Sequence, residues 1–161
     1  MEVTCFCPRC WAKVPAEGTH CPACGHTLAA EDADFVDKLI GALNHSVPAR
    51  AALAIQILSE MLAERRAIVP LIELLGSAHD AYVLKCAAMA LGRFADARAV
   101  PALARRALDL RTPLVVRLAA VQALDQIGGH LAAEALGSAL NDPNAVVRER
   151  ARQALNRPQG G

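Results

Sequence analysis

From residue 34 onward, apolar residues recur at i, i+3, i+4 and i+7, the period of an amphipathic helix with one buried stripe. The clearest stretch is Val115-Val116-Arg117-Leu118-Ala119-Ala120-Val121-Gln122-Ala123-Leu124. It returns 31 residues later at Val146-Val147-Arg148, and an earlier copy begins at Val83. Self-similarity at a period of roughly 31–34 residues marks a repeat array, in which each unit buries its apolar stripe only against its neighbours. The pattern predicts helix pairs at 47–62 with 66–76, 80–93 with 97–109, and 113–127 with 131–140. A lone helix at 34–44 precedes them and a final one at 144–156 follows. Pro70 and Pro101, 31 residues apart, fall in the first turn of a second helix, where a missing N–H costs nothing. The expected fold is all-α, a slightly curved, right-handed α-solenoid of about eight helices over 34–157, with a frayed tail at 158–161.

These strings resemble the HEAT-like repeats of the PBS-lyase type, whose usual pattern runs close to VRxxAAxALGxIGD followed by AVPxL. The resemblance implies that Arg117 and Arg148 occupy a structural arginine position, bridging to acids in the turns between repeats, with Asp80, Asp109 and Asp142 as candidates. That ladder is broken in the second repeat, where Leu84 stands in the slot beside Lys85, and Arg50 is a loose match in the first. Cys86, Met61 and Met89 read as core fillers.

Ahead of the helices the pattern changes. Residues 1–28 hold five of the six cysteines, including Cys7-Pro8-Arg9-Cys10 and, after ten residues, Cys21-Pro22-Ala23-Cys24-Gly25. Each CxxC turn sets two thiolates about a metal's width apart, and two turns complete a tetrahedral sulfur cage. The module resembles the short prokaryotic zinc ribbon, CPxCG…CPxCG, with Cys7, Cys10, Cys21 and Cys24 as ligands of one structural Zn2+. Trp11 departs from that pattern, standing where glycine is usual, and is expected to pack over the cage. Iron in a rubredoxin-like site uses the same spacing, and Cys5 is expected as a spare thiol, with competition for the metal as its alternative. His20 and His26 are expected outside the coordination shell. Four thiolates leave no open position, and Glu17 is the only acid between the pairs, so the metal is expected to be structural and not catalytic. Residues 29–33 form an acidic linker, and the ribbon is expected to shield the exposed end of helix 34–44.

Composition changes this picture little. The formal charge is +1, which gives no global attraction to nucleic acid or anionic lipid. The N-terminus lacks a basic segment followed by an apolar one, and no run of about 18 apolar residues spans a membrane. Paired cysteines without a secretion signal point to a reducing, cytoplasmic setting. Between residues 93 and 117 six arginines face two aspartates, so Arg93, Arg98, Arg105, Arg106 and Arg111 form a candidate basic patch for nucleic acid. No aromatic residue lies within that patch apart from Phe94, and Trp11 and Tyr82 stand outside it, which weakens base stacking. His45, His79 and His130 fall in separate turns, without the repeated His-Glu pairs of a di-iron site. The expectation is a non-enzymatic adaptor or accessory subunit that binds a protein partner through its solenoid. The alternatives are nucleic-acid binding through the patch, or lyase-like or chaperone activity on a pigment or cofactor protein.

Overall fold

The computed structural model describes residues 5–7, 9–14, 18–27, 35–77 and 79–157. The acidic linker at 29–33 and the tail at 158–161 lie outside them. Among the described residues there are eight α-helices and one two-stranded antiparallel ribbon, so the fold is an all-α solenoid with a small N-terminal module. The helices are α1 (Phe35–Ala42), α2 (Pro48–Gln56), α3 (Ile68–Gly76), α4 (Ala81–Phe94), α5 (Val100–Leu108), α6 (Leu114–Ile127), α7 (His130–Ala139) and α8 (Ala145–Asn156).

Local chemistry sets their ends. Asp80 and Asn144 accept the N–H two residues on, at 2.8 and 2.9 Å, and so cap α4 and α8. Glu64 and Asp96 do the same for the 3-10 turns that lead into α3 and α5. α4 stops where Ala95 turns left-handed (φ 49°), and α6 stops at Gly128 (φ 67°).

The helices stack in two rows. The first helices α2, α4, α6 and α8 pack side by side, and α3, α5 and α7 form the second row, each leaning on the next first helix. Alanines make this close stacking possible: Ala87, Ala88, Ala120 and Ala123 have no exposed surface. Leu58, Leu71, Leu91, Leu103 and Leu124 fill the seam between rows. The tightest crossing is α4 on α6. A Cβ placed on Gly92 would come within 2.9 Å of the Ala123 backbone, so a side chain there would push the helices apart.

Polar ties follow the repeat. Arg117 is buried and pairs with Asp142 in the next turn at 2.5 Å, while Asp142 also accepts the Asn144 N–H. The other positions behave differently from expectation. Arg148 donates to the backbone carbonyls of Asp142 and Pro143 instead of to a carboxylate, because Asp142 is already taken by Arg117. Asp80 serves as a cap, and Asp109 pairs with Arg111.

The predicted helix 47–62 is α-helical only to Gln56, and Ile57–Met61 form a π turn. There the Ser59 hydroxyl donates back to the Ile55 carbonyl at 2.8 Å, and Leu62 N–H bonds to Ile57 O, five residues back. The wider turn shifts the register. Ser59 becomes buried and Met61 is 75% exposed, so Met61 is not a core residue. Cys86 and Met89 are only partly buried and line a groove between α2 and α4. Phe35, on the predicted apolar face of the first helix, is exposed.

Candidate metal centre and its seat on the solenoid

The module is built from two turns of the same design. In the first, Trp11 N–H bonds to Cys7 O (2.8 Å) and Cys7 N–H to Ala12 O (2.9 Å). In the second, Gly25 N–H bonds to Cys21 O (2.9 Å) and Cys21 N–H to His26 O (2.7 Å). Antiparallel pairing flanks each turn: β1 (Cys5–Phe6) with β2 (Lys13–Val14) around the first, and a His20–Thr27 bridge around the second.

The two turns bring the Sγ atoms of Cys7, Cys10, Cys21 and Cys24 within 4.8 Å of one another. Cys7 and Cys24 stand 3.7 Å apart, and Cys10 and Cys21 3.5 Å. Metal–sulfur bonds of about 2.3 Å in a tetrahedron require sulfurs roughly 3.8 Å apart, so the four residues fit one tetrahedral ion. Cys7 and Cys21 are buried, and Arg9 N–H points at Cys7 Sγ. The thiols are not equivalent. Burial works to raise Cys21, but the Ala23 and Cys24 N–H groups and neighbouring thiols bring it down to about 7. At Cys10 the Ala12 N–H favours the thiolate, yet the crowd of other sulfurs and burial push it up to about 12. An ion would replace these shared protons, so its affinity falls as pH falls. The side chain of Cys5 lies outside the described residues. His20 is exposed and contacts Thr19, so neither it nor His26 joins the group.

Trp11 does not lie over the cage. It sits at φ 56°, where glycine is at ease, and packs on the solenoid core. Its ring meets His45 edge-on at 5.7 Å between centroids. His45 is buried in the turn between α1 and α2, and its Nδ1 accepts the Val47 N–H at 2.8 Å. Burial lowers its pKa, and the neighbouring Arg50 lowers it further. Arg50 Nη1 stands 3.3 Å from His45 Nε2, and its guanidinium lies over the Phe6 ring at 5.7 Å. The Trp11 indole N–H is buried without an acceptor among the described residues. Phe6 and Trp11 thus fasten the module onto α1 and α2. A cavity of about 250 Å³ remains in the seam, lined by Phe6, Trp11, Leu39, Arg50, Leu53 and Ile57, among others.

The arginines between 93 and 117 do not stand as a free basic patch. Arg93 pairs with Glu60 (2.7 Å), Arg111 with Asp109 and Arg117 with Asp142. Arg98 makes two bonds to Asp96, which also takes Arg65, and these partners hold the Asp96 carboxyl well below the usual range. Arg106 donates to the carbonyls of Leu75 and Ser77 in the previous repeat. Only Arg105 of the five candidates has no such tie among the described residues. The histidines also stay apart. His130 opens α7 and faces Glu134 at 3.6 Å on an exposed surface, a single His-Glu pair and not a repeated one.

The comparisons agree with this geometry. The family model for HEAT repeats matches residues 36–115, and that for the PBS lyase HEAT-like repeat matches 116–142. Residues 36–142 are therefore HEAT-type repeats, a helical scaffold of the kind that mediates protein interaction. No curated protein matches the chain at a significant level. Among the described residues no helix is long and apolar enough to cross a membrane.

Proposed function

We propose that this protein is a non-enzymatic adaptor, or an assembly subunit of a larger complex, that recognises a protein partner with its solenoid surface. One observation carries the reading: HEAT-type repeats over 36–142 present large apolar side chains that the fold itself does not use, among them Leu53, Tyr82, Leu110 and Leu131. Zinc is the proposed ion, held by Cys7, Cys10, Cys21 and Cys24. Four thiolates close its shell, so it supplies folding free energy to the module and leaves no position for substrate. Arg93, Arg98, Arg111 and Arg117 each stand beside a carboxylate that offsets the local positive charge, which ranks nucleic acid below protein as the partner.

The test is purification of the tagged full chain from its own cells, without chelator, with half of the lysate treated with nuclease. A stoichiometric protein partner that survives nuclease supports the adaptor. Loss of every partner on nuclease treatment would move the assignment to nucleic acid. Turnover of a small molecule that vanishes on changing His45, His79 or His130 would overturn the non-enzymatic reading.

A further inference from the structure

The seam between the cysteine module and α2 differs from the other grooves in that its one charged side chain stands in an otherwise apolar lining. In the larger groove between α2 and α4, Glu60 answers both Arg93 and Gln56. Along α6 and α8, Asp125 answers Arg157. In the seam, Arg50 has a guanidinium with no carboxylate among the described residues; its neighbours are a His45 ring kept neutral by burial and the face of Phe6. The rest of the lining is apolar, and its rim is open, since Phe6 is 46% and Leu53 56% exposed.

We propose that this seam is the partner-binding site of the adaptor, and that its occupant is one apolar side chain of a partner protein flanked by a carboxylate. The proposal rests on the adaptor reading and refines it by naming the chemistry recognised. Size decides against a free small molecule. The cavity, about 250 Å³, falls below the roughly 300–1,000 Å³ of small-molecule sites, whereas a single Leu, Met or Phe anchor fits it. Charge decides the flank: a partner carboxylate beside the anchor would meet Arg50, whose planar donors suit carboxylate geometry. The site exists only while both halves are in place, because Phe6 and Trp11 form one wall and Leu39, Leu53 and Ile57 the other.

The experiment selects peptides from a random display library on the intact, metal-loaded chain. Synthetic copies are then titrated against the single tryptophan, Trp11, which lies in the wall. The expected peptides share one Leu, Met or Phe with Asp or Glu within two residues, and binding shifts Trp11 emission. Leu53→Glu and Arg50→Glu each weaken binding by about tenfold or more, as hot-spot changes do. Arg50→Glu regains binding when the peptide acid is replaced by Lys, and Arg105→Glu on α5 changes nothing. Unchanged emission of the free variants shows that the module remains seated; where Arg50→Glu releases it, Arg50→Gln carries the same comparison. Peptides without a shared acid, a selection that enriches nothing, or binding indifferent to Leu53 and Arg50 would overturn the seam. A native partner that still binds both variants would also overturn it while leaving the adaptor intact. Absence of any native protein partner would instead sink the adaptor reading.

Discussion

The two CxxC turns use the same bonds and end in opposite residues. The second closes with Gly25 at φ 70°, and the first with Trp11 at φ 56°. A left-handed residue with a side chain costs about 1–2 kcal/mol, which Gly25 does not incur. The first turn tolerates that cost because the same backbone twist aims the indole at the solenoid, where it meets His45 and joins the core. One turn therefore only presents thiols to the candidate metal centre, while the other presents thiols and docks the module. Separating those two tasks gives the most informative experiments.

Removing the ion should have the largest effect, since both turns depend on it. Structural zinc supplies apparent binding energies of about 10–16 kcal/mol in comparable small units. Chelation, or Cys24→Ser, should unfold the module and move Trp11 emission to longer wavelength. The helical far-ultraviolet signal should persist, because the repeat core is formed by residues from Leu39 to Ala154 and includes no cysteine ligand. Helical collapse on chelation would show that the module nucleates the array.

Next in size is the indole itself. Trp11→Ala keeps the left-handed alanine, and thus the strain, but deletes the docking wall. For a half-buried indole the loss should be about 2–3 kcal/mol, below the range for fully buried tryptophan. The readout is protection of the module in native-state proteolysis, with metal content as a control. The ion should stay bound. Equal loss of metal and docking would mean that the first turn does not separate its two tasks.

The repeats were legible in the sequence because their 31-residue echo records the packing of each helix on its neighbour. The four cysteines were legible because their spacing encodes local geometry. Other features depend on partners that spacing does not reveal. Six arginines counted along 93–117 look like a patch until Glu60 and Asp142, which lie outside that window, are found on Arg93 and Arg117. Met61 follows the helical stripe by count, and only the Ser59 back-bond and the π turn move it outward. The direction of Trp11 carries one signal in the sequence: a bulky residue in a glycine position implies something nearby strong enough to hold it there.

Acid should loosen the same docking contact. Burial and Arg50 lower the His45 pKa below that of an ordinary histidine, so the folded state favours the neutral ring. The unfolded chain binds that proton more readily, hence stability from this group is complete above about pH 6.5 and is lost as pH falls below it. Protonation would remove the acceptor for the Val47 N–H and place a second cation beside Arg50. Thermal midpoints between pH 7.5 and 5.5 should therefore fall more steeply for the native chain than for His45→Asn, which retains an acceptor without titrating. Parallel slopes would assign the acid sensitivity to the thiols instead.

The smallest predicted effect isolates the strain. Nothing lies within 4 Å of a Cβ built on Gly25, so Gly25→Ala adds no clash and costs only the left-handed backbone, about 1–2 kcal/mol. Expressed at the ion, this is roughly a tenfold loss in metal affinity, measurable by competition with a chelator. The reciprocal change is Trp11→Gly compared with Trp11→Ala. Both lack the indole, but the glycine variant is relieved of strain and should hold the ion about tenfold more tightly than the alanine variant. If the two increments agree in size and oppose in sign, the turns are equivalent as metal grips and differ only in what the first one reaches. If Gly25→Ala is silent, the left-handed corner is not what sets either turn, and Trp11 occupies its position without the cost argued above.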